Sequence, residues 1–431
     1  MEAGIAARAA ALEVLSEVLR RRRPLDLALA ADIDNAGLAP RDAGFARAIA
    51  GETLRRFGQL EALIATFVPK APPPHKAGPT LEILLMGACE LLFLDVAPHA
   101  AVDAANRLAQ QDSKAVHFKP LINAVLRRIA KEGKAEIEKQ DAAKLNTPDW
   151  LWSRWREAYG DDTAHAIAQA HLHPAPLDMH VKCDPQGWAQ KLGGAVIGGN
   201  IVRLAEGHRV DQLDGFESGD WWVQDFAASL PAKLLGDVKG QIVLDLCAAP
   251  GGKTAELANA GGKVIAVERE GERLLRLREN LTRLSLEAIA IESDVRDYKP
   301  DAPAPFVLLD APCSATGTVR RHPELPWIKS AADINISANA ASELLESAAA
   351  MVAPGGLLVF AVCSLEPEEG GEQIEHFLRA HEEFTREPVT ADDVYGMAEL
   401  VTPDGDLRTL PCHLVAQGGM DGFYAARLRR K

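Results

Sequence analysis

Two hydrophobic rhythms divide the chain. Up to about residue 140 the apolar positions recur at helical spacing: Leu12, Leu15 and Leu19 share one face, and Ala11, Val14 and Val18 widen it. Residues 1–23 therefore read as an amphipathic helix. Further helices are predicted over 41–57, 60–67, 81–94, 100–111 and 121–131, with Pro72, Pro73, Pro74 and Pro98 breaking the series. After about residue 236 the pattern becomes short continuous apolar runs at 243–246, 264–267, 288–291, 306–310 and 357–362. Helical stretches such as 272–284 and 338–351 separate them. Buried strands joined by helical crossovers predict a doubly wound, mostly parallel α/β sheet.

The middle of the chain is less regular. Residues 132–147 are charged and polar, which suits a connector with mixed helical character. A helix then runs from 148 to about 160 and carries Trp150, Trp152 and Trp155. Three such rings could stack nucleobases, but the commoner use is core packing where the helix docks, and that reading is favoured. Short alternating runs between 176 and 222 predict a small mixed α/β module. The domain plan is thus an all-α domain over 1–140, a linker and small module over 141–235, and the α/β sheet over 236–431.

Composition narrows the class. The 431 residues are 47% apolar and 25% charged, ordinary for a folded chain of two or three domains. The most apolar stretch, 81–96, carries Glu82, Glu90 and Asp95, so it reads as a buried helix and no membrane span is expected. Glu2, Glu13 and Glu17 in the first helix argue against a signal peptide. Six cysteines (Cys89, Cys183, Cys247, Cys313, Cys363 and Cys412) show neither a Cys-x-x-Cys pair nor a metal-ligand spacing, so free thiols in the cytoplasm and no metal are expected. Net charge is −14, divided as +2 over residues 1–140 and −16 over the rest. A polyanion would meet local clusters (Arg20 to Arg23, Arg55-Arg56, Arg127-Arg128, Arg320-Arg321) rather than a basic face. Arg20 to Arg23 also suit a solvated helix C-terminus.

The second half is organised around residues 242–254. The run 243–246 leads into the turn Ala248-Ala249-Pro250-Gly251-Gly252 and then a helix beginning at Lys253. A strand entering a glycine turn that opens a helix forms the ligand corner of an open α/β sheet. Three ligands compete for it. Gly252-Lys253-Thr254 ends a phosphate-binding P-loop, but the loop's first glycine would fall on Cys247. The Gly-x-Gly-x-x-Gly of a dinucleotide site is absent. S-adenosylmethionine, which carries no phosphate, needs only an acid, a small loop and close backbone, and the residues that follow favour it. Glu268 ends the second run, 17 residues after Gly251, where a carboxylate takes ribose hydroxyls; a surface acid starting a helix is the plainer alternative. Asp294 closes the third run and could accept an adenine amino group or cap a helix.

Asp310-Ala311-Pro312-Cys313 follows the fourth run and Cys363-Ser364 a later one, so Asp310 and both thiols are expected at the carboxyl edge of the sheet beside the loop. Buried cysteines are usually small hydrophobes, the right reading for Cys89 and Cys412. Two thiols and an acid on a functional edge suit a harder task. Carbon 5 of cytosine is too weak a nucleophile to take a methyl group unaided. A thiolate adding to carbon 6 makes it enamine-like, and an acid near N3 stabilises the charge that develops. Such an enzyme must also reach an unstacked base.

The residues resemble two known families. Arg22-Arg23-Pro24-Leu25, the segments 41–47, 51–56 and 87–94, and Asn123 to Arg128 are similar to the NusB family of RNA-binding helical domains. Residues 244–254, 310–317 and 363–369, with 318–327 and 421–428, look like the RNA cytosine-5 methyltransferase (RsmB/NOP) family. Together they resemble its bacterial RsmB (Sun/Fmu) type over nearly the whole chain. The resemblance implies a Rossmann-like class I methyltransferase domain, S-adenosyl-L-methionine as cofactor, and formation of 5-methylcytosine in small-subunit (16S) rRNA through a covalent Cys–cytosine adduct. The protein would be a cytoplasmic monomer.

Residue by residue, the likeness places the nucleophile on Cys363, product release on Cys313 and the supporting acid on Asp310. It places the cofactor against Cys247, Ala248, Ala249, Pro250, Gly251, Gly252 and Lys253, with Glu268, Asp294 and Asp310. Physical chemistry alone does not order the two thiols. Val362 stands where the family has Thr, and Ala315 where it has Gly. Gln224-Asp225 also fits the family and would line the crevice; Arg320, Arg321 and His322 are phosphate contacts or a solvated loop. The competing function is a non-catalytic NusB-like RNA-binding or antitermination factor, which has no use for two crevice thiols. A P-loop ATPase stands third.

Overall fold

The computed structural model describes residues 3–34, 36–68, 72–205, 207 and 209–431; Met1 and Glu2 of the expected first helix lie outside these. The chain folds as two compact units. The first runs to His173 and takes in Val319–Ser330; the second comprises Pro174–Thr318 and Ala331–Lys431. The first unit thus takes in residues 141–173 besides the all-α stretch expected over 1–140. The segments beyond 140, including the tryptophan-bearing helix, bury their apolar faces within the helical unit.

The first unit is all helical, as its periodicity predicts. Its principal helices are Ala3–Arg21, Pro40–Arg55, Phe57–Phe67, Thr80–Leu92, Pro98–Gln111 and Lys119–Ile137, followed by Asp149–Tyr159 and Asp161–His171. Val14, Leu15, Val18, Ile49, Leu54, Leu63, Leu85, Cys89, Leu126 and Ile129 form the core. Three differences from expectation have clear causes. Pro74 and Pro98 open helices instead of breaking the series, as Pro40 also does, because the first helical position needs no N–H and suits the fixed φ of proline. The connector expected over 132–147 is helical in part: residues 132–137 continue Lys119–Ile137, with Gly133 buried, and a short helix Ala142–Leu145 follows. Arg20 is not a solvated end: its guanidinium donates to the Glu82 carboxylate at 2.5 and 2.7 Å and to the Gly78 carbonyl at 2.8 Å.

Of the three tryptophans only Trp155 is packed in the core as favoured, while Trp150 and Trp152 are half-buried. Trp155 is fully buried and meets His171 edge-on at 5.3 Å, and Trp150 Nε1 donates to the Pro326 carbonyl at 3.3 Å. Arg320 is also buried, at 1% exposure, and its carbonyl accepts from Arg55 Nη1 at 3.1 Å. That burial removes Arg320 from the candidate phosphate contacts, since an interior guanidinium cannot meet a backbone phosphate; Arg321 and His322 are half-buried.

The second unit contains two sheets. The small module pairs β1 (Leu177–Val181), β2 (Ala195–Gly198), β3 (Ile201–Leu204) and β4 (Trp221–Val223) antiparallel in the order β2-β3-β1-β4. Asp178 and Arg203 form a fully buried ion pair across it at 2.6 Å.

The large sheet contains β5 (Ile242–Leu246), β6 (Lys263–Glu268), β7 (Ile289–Glu292), β8 (Ala304–Asp310), β9 (Val352–Val362), β10 (Phe384–Arg386), β11 (Leu407–Thr409) and β12 (Phe423–Arg430). The order is β10-β12-β9-β8-β5-β6-β7, with β11 also paired to β12. The five strands from β9 to β7 are parallel, and β12 runs antiparallel to β9, β10 and β11. Alternate residues feed opposite cores: Leu244, Leu246, Val307, Leu309, Phe360 and Val362 on one face, Val243, Val264, Leu308, Val359 and Ala361 on the other. Successive strands step outward from β5 in one direction to β7. The chain then restarts at β8 on the other side, so β5 and β8 flank the topological switch point. Ligands of such sheets bind outside the carboxyl ends of those two strands. Among the described residues no helix is long and apolar enough to cross a membrane.

Candidate active site

The loop after β5 is built for close approach. Cys247 and Gly251 take positive φ of 61° and 103°, and a Cβ on Gly251 would sit 3.1 Å from the Leu277 side chain. Side chains from the helix Gly271–Arg283 hold the turn's carbonyls: Arg273 Nη2 donates to Ala249 O at 2.6 Å and Asn280 Nδ2 to Pro250 O at 3.1 Å. The helix Gly252–Asn259 starts directly behind.

Glu268 is buried at the end of β6, which rules out the surface-acid reading. Its carboxylate accepts Ala249 N–H at 3.2 Å and Glu270 N–H at 3.1 Å, and lies 3.4 Å from Arg273. Asp294 follows β7 on the same edge. Arg296 bonds it through side chain (2.7 and 2.9 Å) and backbone (2.9 Å), and the guanidinium bond above all holds its pKa down to about 2. Asp294 therefore stays charged; the residues after it form a turn and not a helix, so its bond to Arg296 N–H closes a turn instead of capping a helix.

Lys253 and Thr254 are engaged by carboxylates. Lys253 Nζ bonds Asp310 Oδ2 at 2.7 Å; burial pulls the lysine pKa down, but the charge and hydrogen bond of Asp310 outweigh it and leave it raised. Thr254 is fully buried and donates to Asp245 Oδ2 at 2.5 Å. Burial pushes Asp245 up to about 7, although the Thr254 bond works against it. A P-loop needs that lysine and that hydroxyl free for phosphate and magnesium. Here both serve the sheet edge instead.

The thiols converge as expected. Cys313 Sγ and Cys363 Sγ lie 3.5 Å apart, both half-buried, and the contact with Cys363, then burial, raises the Cys313 pKa. By contrast Cys89 is buried in the helical core, and burial raises the Cys412 pKa.

The loops carrying the two thiols are tied together. Gly317 N–H donates to Cys363 O at 3.0 Å, and Leu365 N–H to Thr316 Oγ1 at 3.0 Å. Glu369 accepts Ser314 N–H at 2.7 Å and Ser314 Oγ–H at 2.5 Å, and the Ser364 hydroxyl also donates to it. Arg408 Nη1 donates to Ser364 O at 2.6 Å. Sequence reasoning passed over Glu369, Ser314 and Ser364. The available signal was a serine directly after each cysteine, with an acid shortly beyond the second.

Two lobes of one cleft connect these residues. The first, about 280 Å³, is lined by Cys247, Ala249, Glu268, Asp294, Asp310, Cys313 and Cys363 among others. The second, about 310 Å³, is lined by Trp222, Gln224, Asp225, the loop from Cys247 to Lys253, Asn280 and Arg283. Cys247, Ala249 and Asp310 border both. The structure thus gathers the candidate catalytic and cofactor residues named from the sequence around this cleft, with Gln224 and Asp225, but not Arg320, Arg321 or His322. Gln224 Oε1 accepts Trp222 Nε1–H at 2.7 Å, and Asp225 caps the following helix at Ala227 N–H, 2.8 Å.

Comparison with known proteins agrees with this arrangement. Residues 232–429 match the family model described as 16S rRNA methyltransferase RsmB/F, and residues 5–131 match the NusB family. The chain is 35% identical to ribosomal RNA small subunit methyltransferase B of Vibrio vulnificus, over 98% of each chain. It is 36% identical to the protein of that name from Pseudomonas putida, again over 98% of each. The crystal structure of PH0851 superposes with a TM-score of 0.78 at 25% identity, covering 99% of this chain and 98% of that one.

Proposed function

This chain belongs to the 16S rRNA methyltransferase RsmB/F family, and from that premise we propose that it methylates carbon 5 of a cytosine, using S-adenosyl-L-methionine and a covalent bond from Cys363. The observation that carries the reading is the pair of sulfurs 3.5 Å apart in a cleft that also holds Asp310 and Glu268. Transfer to a nucleic-acid oxygen or amino nitrogen has no need of a thiol, because those atoms carry their own lone pairs. A carbon target does need one.

The cleft suits the cofactor chemically. Glu268 is a buried acid whose oxygens each have capacity left for a ribose hydroxyl, the Cys247–Gly251 backbone lies open to the cleft, and the charged Asp294 can accept an adenine amino group. Bound there, the cofactor supplies an electrophilic methyl group on a sulfonium.

The chain's own residues do the rest. Cys363 gives up its thiol proton to solvent, its Sγ bonds carbon 6 of the cytosine, and the displaced π pair makes carbon 5 nucleophilic. Asp310 borders N3 together with the Lys253 ammonium it holds, and that cation offsets the negative charge that develops on the ring. After transfer the carbon-5 proton leaves, its electron pair restores the 5,6 double bond, and the carbon–sulfur bond breaks. Cys313, a neighbour of that sulfur with a raised pKa, gives its proton to the departing Cys363 and takes the one from carbon 5.

Labelled S-adenosylmethionine with unmodified 16S rRNA tests the reading. Label is expected at cytosine carbon 5, and Cys363→Ala abolishes it. Cys313→Ala accumulates a protein–RNA adduct that survives denaturation, and the double variant loses that adduct. Label on another atom, or full turnover by Cys363→Ala, overturns the assignment.

A further inference from the structure

Glu369 has no place in the chemistry above and does not border the cleft, yet it is fully buried beside both thiol loops. A buried carboxylate is costly unless donors surround it. Three converge on this one: the Ser314 N–H at 2.7 Å, the Ser314 hydroxyl at 2.5 Å and the Ser364 hydroxyl. Ser314 adjoins Cys313 at the end of the β8 loop, and Ser364 adjoins Cys363 after β9. Each sulfur is therefore one residue from a contact with the same carboxylate. The hydroxyls are linked further, Ser314 Oγ to Ser364 Oγ and Thr316 Oγ1 to Ser364 Oγ, each at 3.3 Å. Three converging donors call for an acceptor-only group, which an ionised carboxylate is and an amide is not.

We propose that Glu369 is a positioning residue that clasps the loops after β8 and β9 and so fixes the separation of the Cys313 and Cys363 sulfurs. The role rests on the two-thiol reading of the site. Proton exchange between neighbouring sulfurs depends steeply on their distance, so a loosened clasp slows release of the Cys363 adduct more than it weakens binding of either substrate.

The test uses the full chain and two readouts. Phenylarsine oxide measures spacing without the reaction: its arsenic binds two neighbouring thiols and expels the oxide as water, and mass mapping shows whether Cys313 and Cys363 are bridged. Wild type is expected to be bridged, and Glu369→Ala about tenfold more slowly. In methylation assays Glu369→Ala should lose on the order of 10²-fold in kcat, the scale of an ångström-sized misplacement, with KM for RNA and cofactor little changed. It should also accumulate the denaturation-resistant adduct, as Cys313→Ala does. Glu369→Gln, with the same length and one acceptor oxygen, should fall between the two.

A folded Glu369→Ala chain that is bridged at the wild-type rate and releases product normally overturns the proposal. If the alanine chain does not fold, Glu369→Gln decides on the same criteria. Bridging that depends on Glu369 in a protein that forms no 5-methylcytosine leaves the clasp standing and removes the cytosine reading.

Discussion

Lys253 Nζ lies 2.7 Å from Asp310 Oδ2, a salt bridge that joins the first turn after β5 to the end of β8. It spans the switch point of the sheet and sets the charge of the cleft where its two lobes meet. The lysine is the more deeply buried partner, with 10% of its side chain exposed against 30% for the aspartate. The two partners are therefore unequal. Asp310→Ala strands a buried ammonium and is expected to destabilise the fold by about 1.5–3 kcal/mol. Lys253→Met removes the buried charge and leaves a more accessible carboxylate, so it should cost less. Both should slow methyl transfer on the order of 10²-fold or more. Urea unfolding beside single-turnover rates checks this, and equal stability losses would count against the asymmetry.

Asp245 gives a pH signature of its own. Burial raises it from an ordinary 3.8 to about 7, so the folded chain holds a proton that the unfolded chain releases. Stability from this group is intact below pH 3.8 and is lost as pH rises to about 7, with a total on the order of 4 kcal/mol. Asp245→Asn should remove the slope. The unfolding free energy of the variant minus that of wild type is expected to climb between pH 4 and 7 and then level off. A flat difference would mean that Asp245 is ionised at no cost in the fold.

His171 acts in the opposite direction within the helical unit. Burial first, then the charges of Arg320 and Arg55, lower it from 6.5 to about 3, so it stays neutral where the unfolded chain takes up a proton. Its contribution is complete above pH 6.5 and is lost as pH falls toward 3. That amounts to about 2 kcal/mol between pH 6.5 and 5. His171→Gln should blunt the acid sensitivity of the helical unit, which thermal melts across that window would reveal.

Gly317 sits where backbone meets backbone. A Cβ there would lie 1.9 Å from the Gly422 carbonyl oxygen, and Gly422 N–H donates to Gly317 O at 2.8 Å. Neither segment can yield without moving the loop that carries Cys313. Gly317→Ala is expected to lower stability by about 1–3 kcal/mol and to slow turnover along with it. Wild-type melting and rate would show that the loop has slack.

Much of this was legible in the sequence, for local reasons. The continuous run into β5 and the glycine turn after it announce a buried strand and a ligand loop. The acids and thiols at the ends of later runs then fall on one edge by topology alone. Other features were not legible. The edge strands β10 and β11 are three residues each, too short to show a period. Charged residues after 131 hid that the helix from Lys119 runs unbroken to Ile137, because the apolar face had narrowed to a few positions.

Sequence by itself determined the two hydrophobic rhythms, the order of strands and helices, and the residue types available at the sheet edge, since these follow from spacing and side-chain chemistry along the chain. Only the tertiary structure decided which groups meet. It committed Lys253 to Asp310, brought the sulfurs of Cys313 and Cys363 to 3.5 Å, placed Glu369 beside both, and buried Arg320 in the helical unit although it closely follows the loop that carries Cys313. Those outcomes depend on burial and on contacts between segments far apart in the chain. No local pattern encodes which buried donor finds which buried acceptor.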